Sequence, residues 1–326
     1  MNDTVSVIIT SYNSDLFFLD SAVNSVIKQT YKNIEVILVD DGSSNSISKD
    51  IAEKYKGKIK YIYQTNKGLP AARNTGIKSS KGNFICFLDD DDEWEPTKVE
   101  RQIELFKTVR KHDPKLGLTF TYCNVIDENN NVIGSHGYKV KGHIFKKMLY
   151  RNIIGPPSSV MICKNVLNDV GLFNEKFHYA EDLELWYRIS MKYSVYSTNE
   201  FLINYRWRLN SHSKNAEKMN HFCSLALNDI LNCEHIKSII SIEEKEHIIN
   251  NLLIGLANRY FKANDTKNYQ RSYVKTLKHN IKNLIKINLL IKYFTCFLGD
   301  SILKKINYKR EQYTLQKSFN GIQDFT

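Results

Sequence analysis

The first hundred residues alternate two different hydrophobic periods, and this limits the fold more than any other feature of the chain. Short β-branched runs occur at Val5–Thr10 (VSVIIT), Ile34–Val39 (IEVILV), Ile59–Tyr63 and Phe84–Leu88 (FICFL). They are almost continuously apolar, as strands covered on both faces must be. Helical segments, about Leu16–Gln29, Ser46–Tyr55 and Leu69–Ser79, lie between them. Strand–helix–strand repetition predicts a parallel sheet with right-handed crossovers. In such sheets ligands bind beyond the carboxyl ends of the strands.

Polar residues gather at those ends. Ser11-Tyr12-Asn13 follows the first run and Asp40-Asp41-Gly42-Ser43 the second, and Asp89-Asp90-Asp91-Asp92-Glu93-Trp94 follows the fourth. Taken singly, either of the first two is a turn or part of a site; their shared sheet edge favours a site. Four consecutive carboxylates repel one another, and the apolar strand before them offers no counter-charge. Carboxylate oxygens suit hard cations such as Mg²⁺ or Mn²⁺, which also bridge substrate phosphates. The alternative is a solvated acidic turn that caps the helix from about Pro96, a role open to Asp92 and Glu93 even where Asp89 and Asp91 hold a metal. Asn66-Lys67-Gly68-Leu69-Pro70-Ala71-Ala72-Arg73-Asn74 starts a helix and sets Arg73 one turn in, which makes either an anion site or an exposed surface arginine.

Beyond residue 100 the pattern is mixed. Leu118–Val125 and Ser158–Cys163 read as strands, Phe145–Asn152 and Lys164–Val170 as short helices. Another helix starts near Glu181-Asp182, where an aspartate in isolation would be a cap.

Charge divides the chain. The net charge of +11 splits into +4 over residues 1–214 and +7 over residues 215–326. A length of 326 residues allows two domains, here an α/β domain at 1–214 and a helical basic region at 215–326. Between Lys267 and Arg310 there are 11 Lys or Arg and one acid, Asp300. Asn283–Leu298 is apolar but interrupted by Lys286 and Lys292. The expectation is a helix lying in a membrane interface; the alternative packs it on the first domain with its lysines solvated. No stretch of 18 apolar residues and no basic n-region are found, so neither a spanning helix nor a signal peptide is expected. Six cysteines without C-x-x-C spacing point away from zinc and towards a reduced cytoplasmic protein. The missing G-x-G-x-x-G after the first strand excludes a Rossmann dehydrogenase. A nucleotidyltransferase remains as an alternative, although SYNSDL is not its Gly-rich phosphate loop. Nucleic acid is not an expected partner, because the basic excess lies beside an apolar helix without a recognisable binding module.

Six segments in order, VSVIITSYN, VILVDDGS, NKGLPAARNTGI, GNFICFLDDDDEW, GPPSSVMICKNVLNDVGLFNE and YAEDLELWYR, span about residues 4 to 208. In them the chain resembles the inverting glycosyltransferases of family 2, enzymes of bacterial capsule, O-antigen and exopolysaccharide synthesis. The resemblance implies a GT-A fold, a Rossmann-like α/β domain with a mainly parallel sheet, and a hexosyltransferase activity. It implies a UDP-sugar donor, an Mg²⁺ or Mn²⁺ cofactor, a glycan or polyprenyl-diphosphate-linked acceptor, and a place on the cytoplasmic membrane face. Thr10, Tyr12, Asp41 and Asp40 match the family's nucleotide-binding positions, and Arg73 its arginine near the diphosphate. Asp89-Asp90-Asp91 matches the D-x-D motif, with Asp91 on the metal, Asp89 shared between metal and donor, and Asp90 beside the donor. Asp182 matches the general base, and Trp94 and Glu181 fall on the acceptor side. The family's late histidine is replaced by Arg208 in Tyr205-Arg206-Trp207-Arg208. Arg208 would then pair with the diphosphate, or His212 would reach the metal, or neither does so.

Overall fold

A computed structural model describes residues 3–208, 215–280, 282, 287–296 and 323–324. These fall into two compact units. The first starts with β1 (Val5–Ser11), α1 (Leu16–Ile27), β2 (Ile34–Asp40), α2 (Ile47–Lys54), β3 (Ile59–Tyr63), α3 (Leu69–Ser79) and β4 (Phe84–Asp89). The four strands lie parallel in the order β3-β2-β1-β4, as the alternating periods predict. Register sets Val5 beside Ile34 and Phe84, and Thr10 beside Asp89. Asp15 starts α1 by accepting the backbone N–H of Phe17 at 2.8 Å.

β5 (Glu93–Trp94), α4 (Lys98–Val109), β6 (Leu116–Ile126), β7 (Val132–His136), β8 (Tyr138–Lys139) and α5 (Phe145–Tyr150) follow. Then come β9 (Val160–Cys163), α6 (Lys164–Val170), α7 (Glu181–Lys192) and β10 (Ser194–Arg206). β9 inserts antiparallel between β4 and β6, β10 runs parallel to β6, and β5 closes the far edge antiparallel to β10. The sheet is therefore parallel in its first half and mixed in its second. β7 pairs with β6, and β11 (Gln323–Asp324) with β8. The 13-residue β10 has no clear alternating pattern in SVYSTNEFLINYR. Its register slips between Ser197 and Phe201, around Asn199 at φ 62°. A bulge of this kind breaks the period of two that marks a strand.

One core layer joins Val5, Val7 and Ile9 of β1 with Leu19 and Val23 of α1 and Ile103 and Phe106 of α4. On the opposite face α3 lies close to β1. A Cβ at Gly76 would collide with Ile8 Cγ2, and Ile8 is itself buried.

The second unit is helical: α8 (Ala216–Leu231), α9 (Glu234–Ile239), α10 (Ile242–Lys262), α11 (Thr266–His279) and α12 (Ile287–Thr295). A capping box of Ser241 and Glu244 starts α10. Phe261, Tyr269, Tyr273 and Leu289 form its small core, and Tyr269 donates its hydroxyl to the Leu289 carbonyl at 2.8 Å. Among the described residues no helix is long and apolar enough to cross a membrane. Of the apolar segment 283–298, residues 283–286 and 297–298 lie outside the described residues.

The α3–β1 approach has a measurable consequence. Gly76→Val should lower the urea midpoint by the equivalent of about 1–3 kcal/mol, the usual cost of overpacking a filled core. Gly76→Ala should cost less, since the gain in helix propensity of about 1 kcal/mol offsets part of the collision.

Candidate functional site

The site is built at the carboxyl ends of β1, β2 and β4, where two loops lock together first. Asn13, at φ 49°, accepts from Ser44 N at 2.8 Å, and its own N–H donates to Ser43 Oγ at 2.9 Å. This leaves Tyr12 standing 55% exposed at the mouth, with Thr10 buried below it. Gly42, at φ 78°, makes the turn after β2, and a Cβ there would lie 2.6 Å from Asn66 N. Asp41 is buried and accepts from Gln64 Nε2 at 2.7 Å, Lys67 N at 2.9 Å and Gly68 N at 2.8 Å, fixing the entry to α3. Asp40 is buried too. It accepts from Ser43 N and the Tyr61 hydroxyl, both at 2.9 Å, and so braces the turn.

The acidic loop after β4 is distributed among separate partners. Asp90 accepts from Ser14, whose hydroxyl contacts Ser11 at 2.6 Å; Ser11 contacts Ser48 at 2.7 Å. A buried hydroxyl chain thus ties α2 and β1 to the loop. Asp92 is fully buried and accepts from Ser158 Oγ at 2.6 Å and Arg206 N at 2.9 Å. Glu93 pairs with Arg206 at 2.7 Å. Neither Asp92 nor Glu93 caps α4, which starts at Thr97 without a side-chain cap. Both are consumed in holding the loop to β10. Trp94, expected on the acceptor side, is a core residue: its indole N–H donates to the Ser158 carbonyl at 2.9 Å and Lys98 Nζ sits 3.7 Å from its ring.

Arg73 joins the loop to α7. Its guanidinium is buried, 2.8 Å from Asp89 Oδ1 and 2.6 Å from Glu181 Oε1, and packs 5.3 Å from the Phe173 ring. Both terminal nitrogens are taken, so Arg73 is a brace between two carboxylates where an open diphosphate contact was expected. Glu181, expected at the acceptor, is buried against it. Just before Glu181 the chain passes through Ala180 in the left-handed region, φ 55°. That conformation costs a residue with a Cβ about 1–2 kcal/mol, and such strain concentrates at functional sites. Asp182 sits in the first turn and accepts from Leu183 N at 2.7 Å. Burial and the neighbouring Glu181 push its carboxyl up to about 7.

Two arginines approach the loop from the end of β10. Arg206 is buried; besides Glu93 it donates to the carbonyls of Asp91 at 2.8 Å and Asp127 at 2.9 Å. Arg208 is partly open to solvent, 3.6 Å from Asp91 Oδ2. The two guanidinium carbons lie 4.6 and 5.0 Å from the Phe18 ring. His212 lies outside the described residues. Burial and like charge raise Asp90 to about 7 and raise Asp91 as well, and Arg208 opposes the shift at both. Among the described residues no three His, Cys, Asp or Glu side chains form a ready metal cage. Asp89 and Asp91 supply two hard oxygen donors at the strand end. That number suits Mg²⁺ or Mn²⁺, which take their remaining ligands from substrate phosphates and water.

Sequence reasoning missed Arg206, Ser158 and the Ser11–Ser14–Ser48 chain. Arg206 was visible only as the neighbour of Arg208, Ser11 only as part of a strand-end cluster, and Ser14, Ser48 and Ser158 carried no signal.

Residues 6–173 match the family described as Glycosyl transferase family 2. An uncharacterized glycosyltransferase of Rickettsia conorii is 30% identical over 296 residues, which is 88% of this chain and 47% of that protein. The chain thus spans about half the length of that relative, and 41% of a second one from Rickettsia felis. The UDP-Glc:alpha-D-GlcNAc-diphosphoundecaprenol beta-1,3-glucosyltransferase WfgD of Escherichia coli is 33% identical over 66% of this chain and 80% of its own length. The crystal structure of S. aureus TarS 1–349 in complex with UDP-GlcNAc superposes with a TM-score of 0.62 at 18% identity, covering 99% of this chain and 93% of TarS 1–349. That likeness establishes the GT-A fold.

The Arg73 brace predicts its own cost. Arg73→Met strands the buried Glu181 and the partly buried Asp89, and losing one partner of a buried ion pair typically costs about 3–5 kcal/mol. Urea denaturation should show a loss of that size. Arg73→Met, Glu181→Leu together should recover part of it.

Proposed function

Since the chain belongs to glycosyl transferase family 2, we propose that it transfers a sugar from a UDP-linked donor to a hydroxyl of a glycan or polyprenyl-diphosphate-linked sugar, with inversion, in the synthesis of a bacterial surface polysaccharide. The observation that carries this reading is the Arg73 bridge, which brings the Asp89 strand end and the Glu181-Asp182 helix start to one site. The names of WfgD and of the TarS complex support a UDP-sugar donor, and that of WfgD a lipid-linked acceptor.

The residues divide the work. Tyr12, Thr10 and Asp41 line the nucleoside end, with Asp40 acting through the turn it braces. Asp89 and Asp90 face the donor, Asp89 held in place by Arg73. Asp91 and Asp89 would hold Mg²⁺ or Mn²⁺ together with the donor's phosphates, and such an ion neutralises charge developing on a leaving diphosphate. Arg208 adds a guanidinium to the same task, so no side chain need protonate the leaving group. An acceptor hydroxyl is a poor nucleophile, so Asp182 takes its proton as the oxygen attacks the anomeric carbon. One C–O bond forms while the bond to the diphosphate oxygen breaks, and UDP departs with the electron pair. A single displacement inverts the configuration.

Asp182 acts only when ionised. With its pKa raised by burial and Glu181, turnover should fall as pH drops through neutrality and rise towards a plateau above it. Asp182→Asn should lose about 10²–10⁴-fold in turnover with donor binding retained. UDP released from a panel of UDP-sugars, read with and without acceptor, tests both. Equal losses of UDP binding and turnover would make Asp182 a donor ligand instead.

Association with a membrane surface is the second part of the proposal, and it rests on the helical unit alone. Lys267, Arg271, Lys275 and Lys278 are exposed along α11, opposite buried Tyr269, Tyr273 and Thr276. Arg271, Lys275 and Lys278 line one shallow groove, and Ile291 and Phe294 of α12 are exposed. Each cation near an anionic leaflet contributes about 1 kcal/mol. The full chain should therefore co-sediment with phosphatidylglycerol vesicles at low salt and release largely in high salt. Charge reversal at Arg271, Lys275 and Lys278 should abolish the salt-sensitive part.

A further inference from the structure

Arg208 does more in this structure than wait for a diphosphate. Its guanidinium lies 3.6 Å from Asp91 Oδ2, within ion-pair distance of the carboxylate that the reading above assigns to the metal. It is steadied from the other side by the Phe18 ring, 5.0 Å from its guanidinium carbon. The rest of the acidic loop is committed elsewhere. Asp89 is bound to Arg73, Asp90 to Ser14, and Asp92 to Ser158 and the Arg206 backbone. Arg206 cannot take over the task, because its three guanidinium nitrogens are held by Glu93, Asn130 and the carbonyls of Asp91 and Asp127. Arg208 is the partly exposed one of the two, and can therefore move.

We propose that Arg208 is a placeholder cation: it neutralises Asp91 while the donor is absent and moves onto the diphosphate when donor and divalent ion arrive together. The inference rests on the reading that Asp91 holds a divalent ion. Two cations cannot both sit on one carboxylate oxygen without repelling each other, so an ion that enters alone must first displace the guanidinium. A nucleotide changes that balance, because its phosphates offer Arg208 a geometrically matched partner, to which a guanidinium can bind through two N–H groups at once. Divalent ion and nucleotide thus bind cooperatively, and by reciprocity each raises the affinity for the other by the same factor. The free enzyme keeps its acidic loop charge-compensated without a resident metal.

The test is Mn²⁺ binding to the full chain, read from the free-ion electron paramagnetic resonance signal with and without UDP, for wild type, Arg208→Gln and Arg208→Lys. Thermal melting of each variant verifies that it is folded. Wild type should bind Mn²⁺ weakly alone and at least tenfold more tightly with UDP. Arg208→Gln should bind Mn²⁺ alone at least tenfold more tightly than wild type, with a smaller further gain from UDP than wild type shows, since the phosphates still supply ligands to the ion. In calorimetry without metal it should also bind UDP more weakly. Arg208→Lys, which keeps the charge, should stay near wild type in the absence of UDP. Equal Mn²⁺ affinities of wild type and Arg208→Gln without UDP would overturn the placeholder role and leave the metal site standing. Absence of Mn²⁺ binding to both proteins in the presence of UDP would overturn the metal site, and this inference with it.

Discussion

A guanidinium buried between two carboxylates is the constraint on which the rest of the site depends. Taking Arg73 out of water costs several kcal/mol, and only close, well-aligned partners offset that cost. Asp89 at 2.8 Å and Glu181 at 2.6 Å provide them, and each lies on a different element. The end of β4, the second turn of α3 and the start of α7 are thereby fixed relative to one another. A neutral side chain at residue 73 would leave those ends free to separate, because like charges on Asp89 and Glu181 repel. The left-handed Ala180 fits the same picture: local strain is accepted where tertiary contacts dictate the direction of the helix that follows.

The three arginines around the acidic loop differ in access rather than in charge. Arg73 and Arg206 are buried and held by fixed carboxylate partners, so their charge sets geometry. Arg208 meets a single carboxylate at the longer distance of 3.6 Å and keeps contact with solvent. Division of labour among chemically identical groups is possible because desolvation makes a buried ion pair rigid and leaves an exposed one weak and exchangeable.

Much of the fold is legible in the amino-acid sequence, for a physical reason. Strands buried on both faces must be almost continuously apolar, and β1, β2 and β4 are; α1 follows from its period and α3 from its period and the Gly68-Pro70 start. β10 is hidden because its bulge at Asn199 disrupts alternation and because its partner β6 lies some 80 residues away. Within the site, the strand-end clusters are visible because polar residues interrupt apolar runs there. Their division into roles is not. Adjacent Asp40 and Asp41 bond to different groups, and four successive aspartates have four sets of partners. Each assignment depends on residues distant in sequence, such as Ser158 and Arg206, that local pattern cannot bring near. Trp94 shows the same limit. The resemblance puts it on the acceptor side, whereas the sheet edge formed with β10 turns it into the core.

Arg206 also places the acidic loop in time. Its backbone N–H reaches Asp92 across 114 residues and its Nε reaches the Asp91 carbonyl across 115. A ribosome adds about 5–20 residues each second, and a domain folds once its parts have emerged. The loop and its strand are therefore made many seconds before the arginine that anchors them. Through that interval the growing chain has Arg73 to set beside Asp89, but it lacks the residue that anchors Asp92 and Glu93. The nascent protein can complete the pairing of β1, β2 and β4 early, but it acquires an organised site only when the last strand of the sheet leaves the exit tunnel.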